Sequence, residues 1–261
     1  MFPNHLLRQS ANRPGKRPLP RRGGAGATLL RIAGYVVVLL IIGIGTLAVG
    51  PGIPERLNPL APLDPTAAAG PFTAFKLSRA TATPEMCFAT LEQIPDFRYV
   101  RMLDREVSDQ CHIREHTKVR GLWGADLAPV STRCSIALRL YMWERHSVQP
   151  AAEKYLNKNV AEVRHMSSYS CRRMRTETGE GDRMSAHATA SAIDIDGMVL
   201  TDGTRLSLLR GWNSVNQNEQ LFWRSIRTGA CTWFKTVLSP QFNRLHADHF
   251  HLAQGEFSAC R

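Results

Sequence analysis

No cysteine precedes residue 87, no acidic side chain occurs in the first thirty-one residues, and neither Cys-x-x-Cys nor Gly-x-Ser-x-Gly occurs anywhere in the 261-residue chain. Without Cys-x-x-Cys there is no basis for a thiolate zinc knuckle. Without Gly-x-Ser-x-Gly the nucleophile elbow of a serine hydrolase is missing, and cysteines that read as paired argue against a cysteine hydrolase. No internal repeat is present. The lack of acid in the first thirty-one residues leaves seven Lys or Arg unopposed there: Arg8, Arg13, Lys16, Arg17, Arg21, Arg22 and Arg31. This tail supplies +7 of a formal net charge of +11, so the remaining residues carry only +4. That is no nucleic-acid signature, and it suits the anionic surface of a membrane or a cell wall.

Residues 1–31 are rich in Pro and Gly and show no apolar periodicity, which predicts a disordered, basic cytoplasmic tail. An uncharged run follows from Ile32 to Gly50, ended by Pro51. At 1.5 Å per helical residue such a run spans roughly 28 Å, close to the thickness of a hydrocarbon core. The basic flank on its N-terminal side predicts a single-pass inner-membrane anchor over 32–50, with the N-terminus cytoplasmic and the rest periplasmic. The alternatives are a cleaved signal peptide, for which the run is long and Leu47-Ala48-Val49-Gly50 only a loose cleavage site, and a buried core helix, for which a polar stripe is missing.

All six cysteines, Cys87, Cys111, Cys134, Cys171, Cys231 and Cys260, follow this segment. Their even number and exported position predict disulfides, with fifteen pairings open. A bond at Cys260 would tie down a terminus that would otherwise fray. Residues 51–81 are Pro- and Ala-rich and read as a spacer, and 82–261 is long enough for one domain with a sizeable core. Within it, Thr83-Pro84 predicts a helix start, and Ser131 or Thr132 a cap for a helix through Trp143. Pro150 opens a third helix, and Asn216 or Asn218 starts a long one through Val237, ended near Pro240. Strands are expected over 97–100, 160–165, 192–200, 206–209 and 250–253, with Thr201-Asp202-Gly203-Thr204 as a hairpin turn. The fold class is α+β.

Two segments carry chemistry. The first is Arg183-Met184-Ser185-Ala186-His187 with Ala190, Ala192 and Asp194; the second is His246-Ala247-Asp248-His249-Phe250-His251. In one helix His187 and Asp194 would lie roughly 10 Å apart along the axis, too far for a shared ion with bonds of about 2.0–2.2 Å. A loop carrying His187 that folds back beside a strand carrying Asp194 brings them together. In a strand His249 and His251 point to one face and Phe250 to the core on the other. The competing reading is a set of unrelated polar residues, since a chain with nine histidines makes a His-x-His by chance without difficulty.

Ser185-x-His187-x-x-Ala190-x-Ala192-x-Asp194 resembles the signature of the lysostaphin, D-alanyl-D-alanine peptidase and hedgehog metallopeptidase superfamily. His246-x-x-His249-x-His251 resembles the closing motif of its murein endopeptidases. More closely, most of residues 85–252 resembles the bacterial extensin-like C-terminal domain family. That likeness rests on Ser168-Tyr169-Ser170-Cys171-Arg172, Arg183 to His187, Ala192 to Gly197, the Phe222–Phe234 stretch with Cys231, and Asn243 to Leu252. Departures are Ala190, where the superfamily has Gly and where a negative φ is expected to accommodate Ala, together with Ala186 and Ala253.

The resemblance implies a small antiparallel sheet flanked by helices and carrying one zinc ion on His187, Asp194 and His251. It implies His249 as base or transition-state stabiliser. The chemistry of such a site then singles out His246 as oxyanion stabiliser, Arg183 and Arg172 to hold a substrate carboxylate, Ser185 to hold the loop or touch substrate, and Asp196 and Asp248 to orient imidazoles. The implied activity is peptide-bond hydrolysis in peptidoglycan stems, as endopeptidase or carboxypeptidase. A non-catalytic wall-binding or envelope-structural domain is the alternative, and three ligands with a spare imidazole suit an open site better than a closed structural one.

Overall fold

The computed structural model of the chain describes residues 25–49, 53–255 and 257–261. The chain divides into two compact units, residues 1–52 and 53–261. In the first, helix α1 (Ala25–Val49) contains an apolar stretch, Thr28–Thr46, long and apolar enough to cross a membrane, a property shared by signal sequences. The helix begins at Ala25 rather than Ile32, so the last residues assigned to a disordered tail are helical: Ala, Thr and Leu follow the last Gly pair and nothing breaks the turn. The rest of the tail, 1–24, and Gly50-Pro51-Gly52 lie outside the described residues.

The second unit contains, in chain order, α2 (Thr73–Ala80), α3 (Pro84–Leu91), β1 (Arg98–Arg101), β2 (Arg105–Ser108), β3 (Cys111–Ile113), β4 (His116–Gly121) and β5 (Asp126–Arg133). Next come α4 (Cys134–Trp143), a π-turn at Glu144–Val148, α5 (Gln149–Leu156), β6 (Val160–Ser167), β7 (Arg173–Thr176) and β8 (Gly179–Met184). A 3-10 turn at Ala186–Thr189 leads to β9 (Ala192–Leu200), β10 (Arg205–Ser207), α6 (Leu208–Gly211) and α7 (Gln217–Trp233). β11 (Thr236–Leu238), a 3-10 turn at Arg244–His246, β12 (Phe250–Ala253) and β13 (Ala259–Cys260) complete it.

The α+β class holds, but the sheet is neither small nor wholly antiparallel. Among the described residues nine strands form one sheet in the order β1-β4-β5-β6-β9-β12-β11-β13, with β10 also on β9, and the β5–β6 and β11–β13 pairs are parallel. The sequence reading missed β2 to β5 because polar and basic side chains such as His116, Lys118 and Arg120 interrupt any apolar alternation there. Ser131 and Thr132 belong to β5 and do not cap α4, whose first turn follows Arg133 directly. Thr83 does cap α3, accepting from Met86 N at 3.3 Å, and Asn216 caps α7 by accepting from Asn218 N and Glu219 N. α7 ends at Trp233 because Thr236-Val237-Leu238, rich in β-branched side chains, pairs with β12 instead.

The helices pack on one face of the sheet. β9 sends Ile193 and Ile195, and β12 sends Phe250 and Leu252, into the core shared with Trp143, Phe222 and Trp223. Alternation then turns Asp194 and His251 to the other face. Phe250 meets Trp212 and Trp223 edge-on, with ring centres 6.0 and 5.9 Å away.

Residues 53–81 are no free spacer. Leu63, Leu77 and Ala80 are buried in the core, Lys76 Nζ donates to Glu55 O at 2.6 Å, and Arg139 Nη2 donates to Thr81 Oγ1 at 3.0 Å. Part of its apolar content faces the domain, while Leu57, Leu60, Phe72 and Phe75 stay exposed. The disulfides pair Cys87 with Cys134, Cys111 with Cys171 and Cys231 with Cys260. They close loops of 47, 60 and 29 residues, each contributing about 4 kcal/mol in the chain-entropy account.

Candidate metal centre

The turn that carries His187 is built from short-range chemistry. Ser185 precedes it with extended backbone, and its Oγ accepts from His187 N at 3.3 Å. Ala190 then adopts φ 49°, ψ 29°, the left-handed conformation, and closes the turn as its N–H donates to His187 O at 3.1 Å. The negative φ expected at Ala190 is therefore wrong: the position needs the conformation that Gly provides, and the chain holds an alanine in it against the steric cost of its Cβ. Ser191 N bonds back to Ala186 O at 2.9 Å, and β9 starts at the next residue, as the fold-back of a His187 loop onto an Asp194 strand requires.

Strand register does the rest. β12 runs antiparallel to β9 with His251 directly opposite Asp194 and Phe250 opposite Ile195. His251 Nδ1 lies 2.9 Å from Asp194 Oδ1, His187 Nε2 lies 3.1 Å from Asp194 Oδ2, and the two imidazole nitrogens are 3.2 Å apart. His187 and Asp194 are buried and His251 half-buried. These three donors form a group that could hold a metal ion. His187 Nδ1 donates to Ser168 O at 2.9 Å, which leaves the Nε2 lone pair for the centre.

Burial works against ionising Asp194, but hydrogen bonds from His187 and His251, and their charge, hold its carboxyl far below the usual carboxylate range. Burial pushes His251 down, opposed by Asp194. An ionised carboxylate and a neutral imidazole are the forms that ligate metals.

His249 stands beside this group, with Nε2 3.7 Å from Asp194 Oδ1 and Nδ1 held by Asp248 Oδ1 at 2.8 Å. His246 closes the cluster, its ring centre 5.2 Å from that of His249 and 5.9 Å from that of His251. Burial, reinforced by His249 and His251, pushes His246 down to about 4, so at neutral pH it is an uncharged imidazole and not a cation. Its Nδ1 lies 2.6 Å from Asn243 Oδ1.

Of the three residues read as substrate contacts, Arg172 is the one whose guanidinium feels the charge of Asp194. Burial and Arg175 lower its pKa, while the charge of Asp194 acts on it in the opposite sense. Ser185 is buried and occupied with capping the His187 turn. Arg183 is exposed on β8, one residue before Met184, which pairs with Arg173. Of the two candidate orienting carboxylates, Asp248 does hold an imidazole, that of His249, whereas Asp196 pairs with Arg164 at 3.5 Å. Asn243, Thr132 and Ser168 received no role in the centre from sequence, where Thr132 was read as a helix cap. The three-residue spacing of Asn243 and His246, one 3-10 turn, was the available signal for the first; the other two depend on contacts between distant segments.

A family model described as Extensin-like protein C-terminus matches residues 85–261. No curated protein and no solved structure matches the chain.

Proposed function

We propose, for a chain that belongs to the extensin-like protein C-terminus family, that the unit following α1 is a zinc-dependent hydrolase of peptide bonds in peptidoglycan stems. The observation that carries the reading is the convergence of His187 Nε2, Asp194 and His251 Nδ1 within 3.2 Å of their neighbours, beside a third imidazole, that of His249. Donors at about 2.0–2.1 Å from a tetrahedral ion stand about 3.3 Å from one another, so this set fits zinc with little adjustment. The exported side of a membrane anchor over residues 32–50 would place it beside its substrate, and the disulfides suit that compartment.

When bound there, zinc supplies Lewis-acid chemistry, acidifying water and polarising the scissile carbonyl. His187, Asp194 and His251 hold it. His249, with its Nδ1 proton held by Asp248, presents Nε2 to accept the proton of the attacking water and then returns it to the departing amine. Water thus adds across the C–N bond, leaving a carboxylate and an amine. His246 is neutral with its Nδ1 proton held by Asn243 Oδ1, so its Nε2 accepts a hydrogen bond from the reacting groups, and stabilisation of the oxyanion falls to the metal. Arg172 and Arg183 are the candidates to hold a substrate carboxylate, which a guanidinium pairs with bidentately.

Substitution separates these roles. His187→Ala, Asp194→Asn and His251→Ala are expected to lose bound zinc and all muropeptide cleavage. His249→Ala is expected to keep its zinc and lose at least about a hundredfold in rate. Full cleavage by His187→Ala or His251→Ala protein contradicts the mechanism. Wall binding that survives zinc removal, with no cleavage by the loaded wild type, makes the domain a wall-binding module instead.

A further inference from the structure

Ser168 is joined to both segments that bring ligands to the centre. It directly follows β6 and has no exposed surface. Its carbonyl accepts from His187 Nδ1 at 2.9 Å. Its hydroxyl reaches Ala192 O at 2.6 Å and Thr132 Oγ1 at 2.7 Å. Ala192 opens the strand that carries Asp194 two residues on. Thr132 extends the network, since its own hydroxyl donates to Ala190 O at 3.2 Å, at the left-handed residue between His187 and that strand. The neighbouring backbone grips the turn as well: Ser170 N donates to His187 O, and Ser185 N to Arg172 O, each at 3.0 Å. Cys171 in the same run is tied to Cys111 on β3, and β3 abuts the 3-10 turn.

Two separate requirements of a metal site meet in this one residue. The carbonyl selects the imidazole tautomer with its proton on Nδ1, which leaves Nε2 as the donor atom. The hydroxyl ties the start of β9 to the same residue whose carbonyl holds the His187 ring. Ligand geometry tolerates errors of only a few tenths of an ångström, and a 3-10 turn of four residues closed by an alanine in a strained conformation has little rigidity of its own.

We propose that Ser168 is a positioning residue of the metal centre, holding the His187 turn and the Asp194 strand at metal-binding separation. This rests on the reading of His187, Asp194 and His251 as zinc ligands. The test uses residues 53–261, a compact unit with its own core and all three disulfides. Metal-free wild type, Ser168→Ala, Thr132→Val and Trp143→Phe proteins are titrated with Zn²⁺ against a chromophoric chelator, and their melting temperatures are recorded without metal. Trp143 donates a buried hydrogen bond to Ile226 O at 2.8 Å within the helical layer, so its variant reports general destabilisation.

The expected result is zinc affinity lowered about tenfold or more in Ser168→Ala and several-fold in Thr132→Val, with Trp143→Phe melting earlier but binding zinc as wild type does. Ser168→Ala affinity within about twofold of wild type overturns the proposal, as does an equal loss in Trp143→Phe. If Ser168→Ala does not fold, unchanged affinity in Thr132→Val overturns it. A wild type that binds no zinc refutes the metal reading itself, an outcome distinct from a wild type that binds and a Ser168→Ala protein that binds equally well.

Discussion

At Ala190 a single methyl group opposes the turn on which the centre depends. A left-handed alanine costs roughly 1–2 kcal/mol and its buried methyl returns about 0.8 kcal/mol of packing, which leaves a balance in favour of Gly of up to about 1 kcal/mol that glycine's larger loss of backbone freedom on folding offsets. Ala190→Gly is therefore expected to leave thermal stability unchanged or slightly raised and to keep the metal. Ala190→Val adds a β-branched side chain at positive φ in a site with no exposed surface, and is expected to cost more than about 2 kcal/mol in denaturant unfolding. Equal stability of Val and Gly proteins would show that the left-handed conformation at residue 190 does not matter. The ligands themselves were legible at this scale. His187, Asp194 and His251 have chemistry that the sequence displays, and a single helix across them would have held His187 and Asp194 too far apart to share an ion. The sign of φ at Ala190 was not legible, because an alanine carries no mark of strain. Nor was the neutrality of His246, which follows from burial and neighbouring histidines brought in by the fold.

Among the elements, the break between α4 and α5 shows what sequence periodicity hides. The two helices form one run through the π-turn at Glu144–Val148. Glu144 is fully buried there, accepting from Trp123 N at 3.1 Å, Gly124 N at 3.2 Å and Gln149 Nε2 at 2.6 Å. Burial raises its pKa despite these donors. A carboxyl whose folded value is raised binds its proton more tightly in the folded state, so its contribution to stability is present at acid pH and is lost as pH rises through the folded value. Glu144→Gln removes that titration. The stability of wild type relative to Glu144→Gln is expected to fall as pH is raised from about 4 to 7, measured by urea midpoints; a difference that grows with pH would contradict the burial account. Helices α1, α3, α4, α5 and α7 and the strands β1, β6, β9 and β12 were legible through caps and apolar runs, whereas α2 lay in the stretch read as a spacer and α6 takes up Leu208 and Leu209 of the strand expected over 206–209. Strands β2 to β5 and the hairpin β7–β8 were not, because Arg, Lys and His side chains on them mask the period of two. For the same reason the start of α4 was misplaced: Ser131 and Thr132 look like caps but serve β5 and the Ala190 carbonyl.

The whole molecule depends on a stretch that looked dispensable. Residues 53–81 bury Leu63 and Leu77 against the domain, each stabilising by about 1.5–3 kcal/mol. A protein beginning at residue 82 is expected to melt well below one beginning at residue 53, with a loss of roughly 3–6 kcal/mol in chemical denaturation. Identical melting would mean that the stretch is a passive spacer after all. The disulfide pairing belonged equally to this scale, since six cysteines with fifteen pairings are resolved only by the fold.

The central claim is hydrolysis, and mass spectrometry of muropeptides incubated with zinc-loaded residues 53–261 tests it most directly. The expected result is the appearance of stem fragments whose masses sum to that of the parent plus one water per bond cut, abolished by chelation and by His251→Ala. Intact muropeptides after prolonged incubation with protein shown to carry its zinc would contradict it.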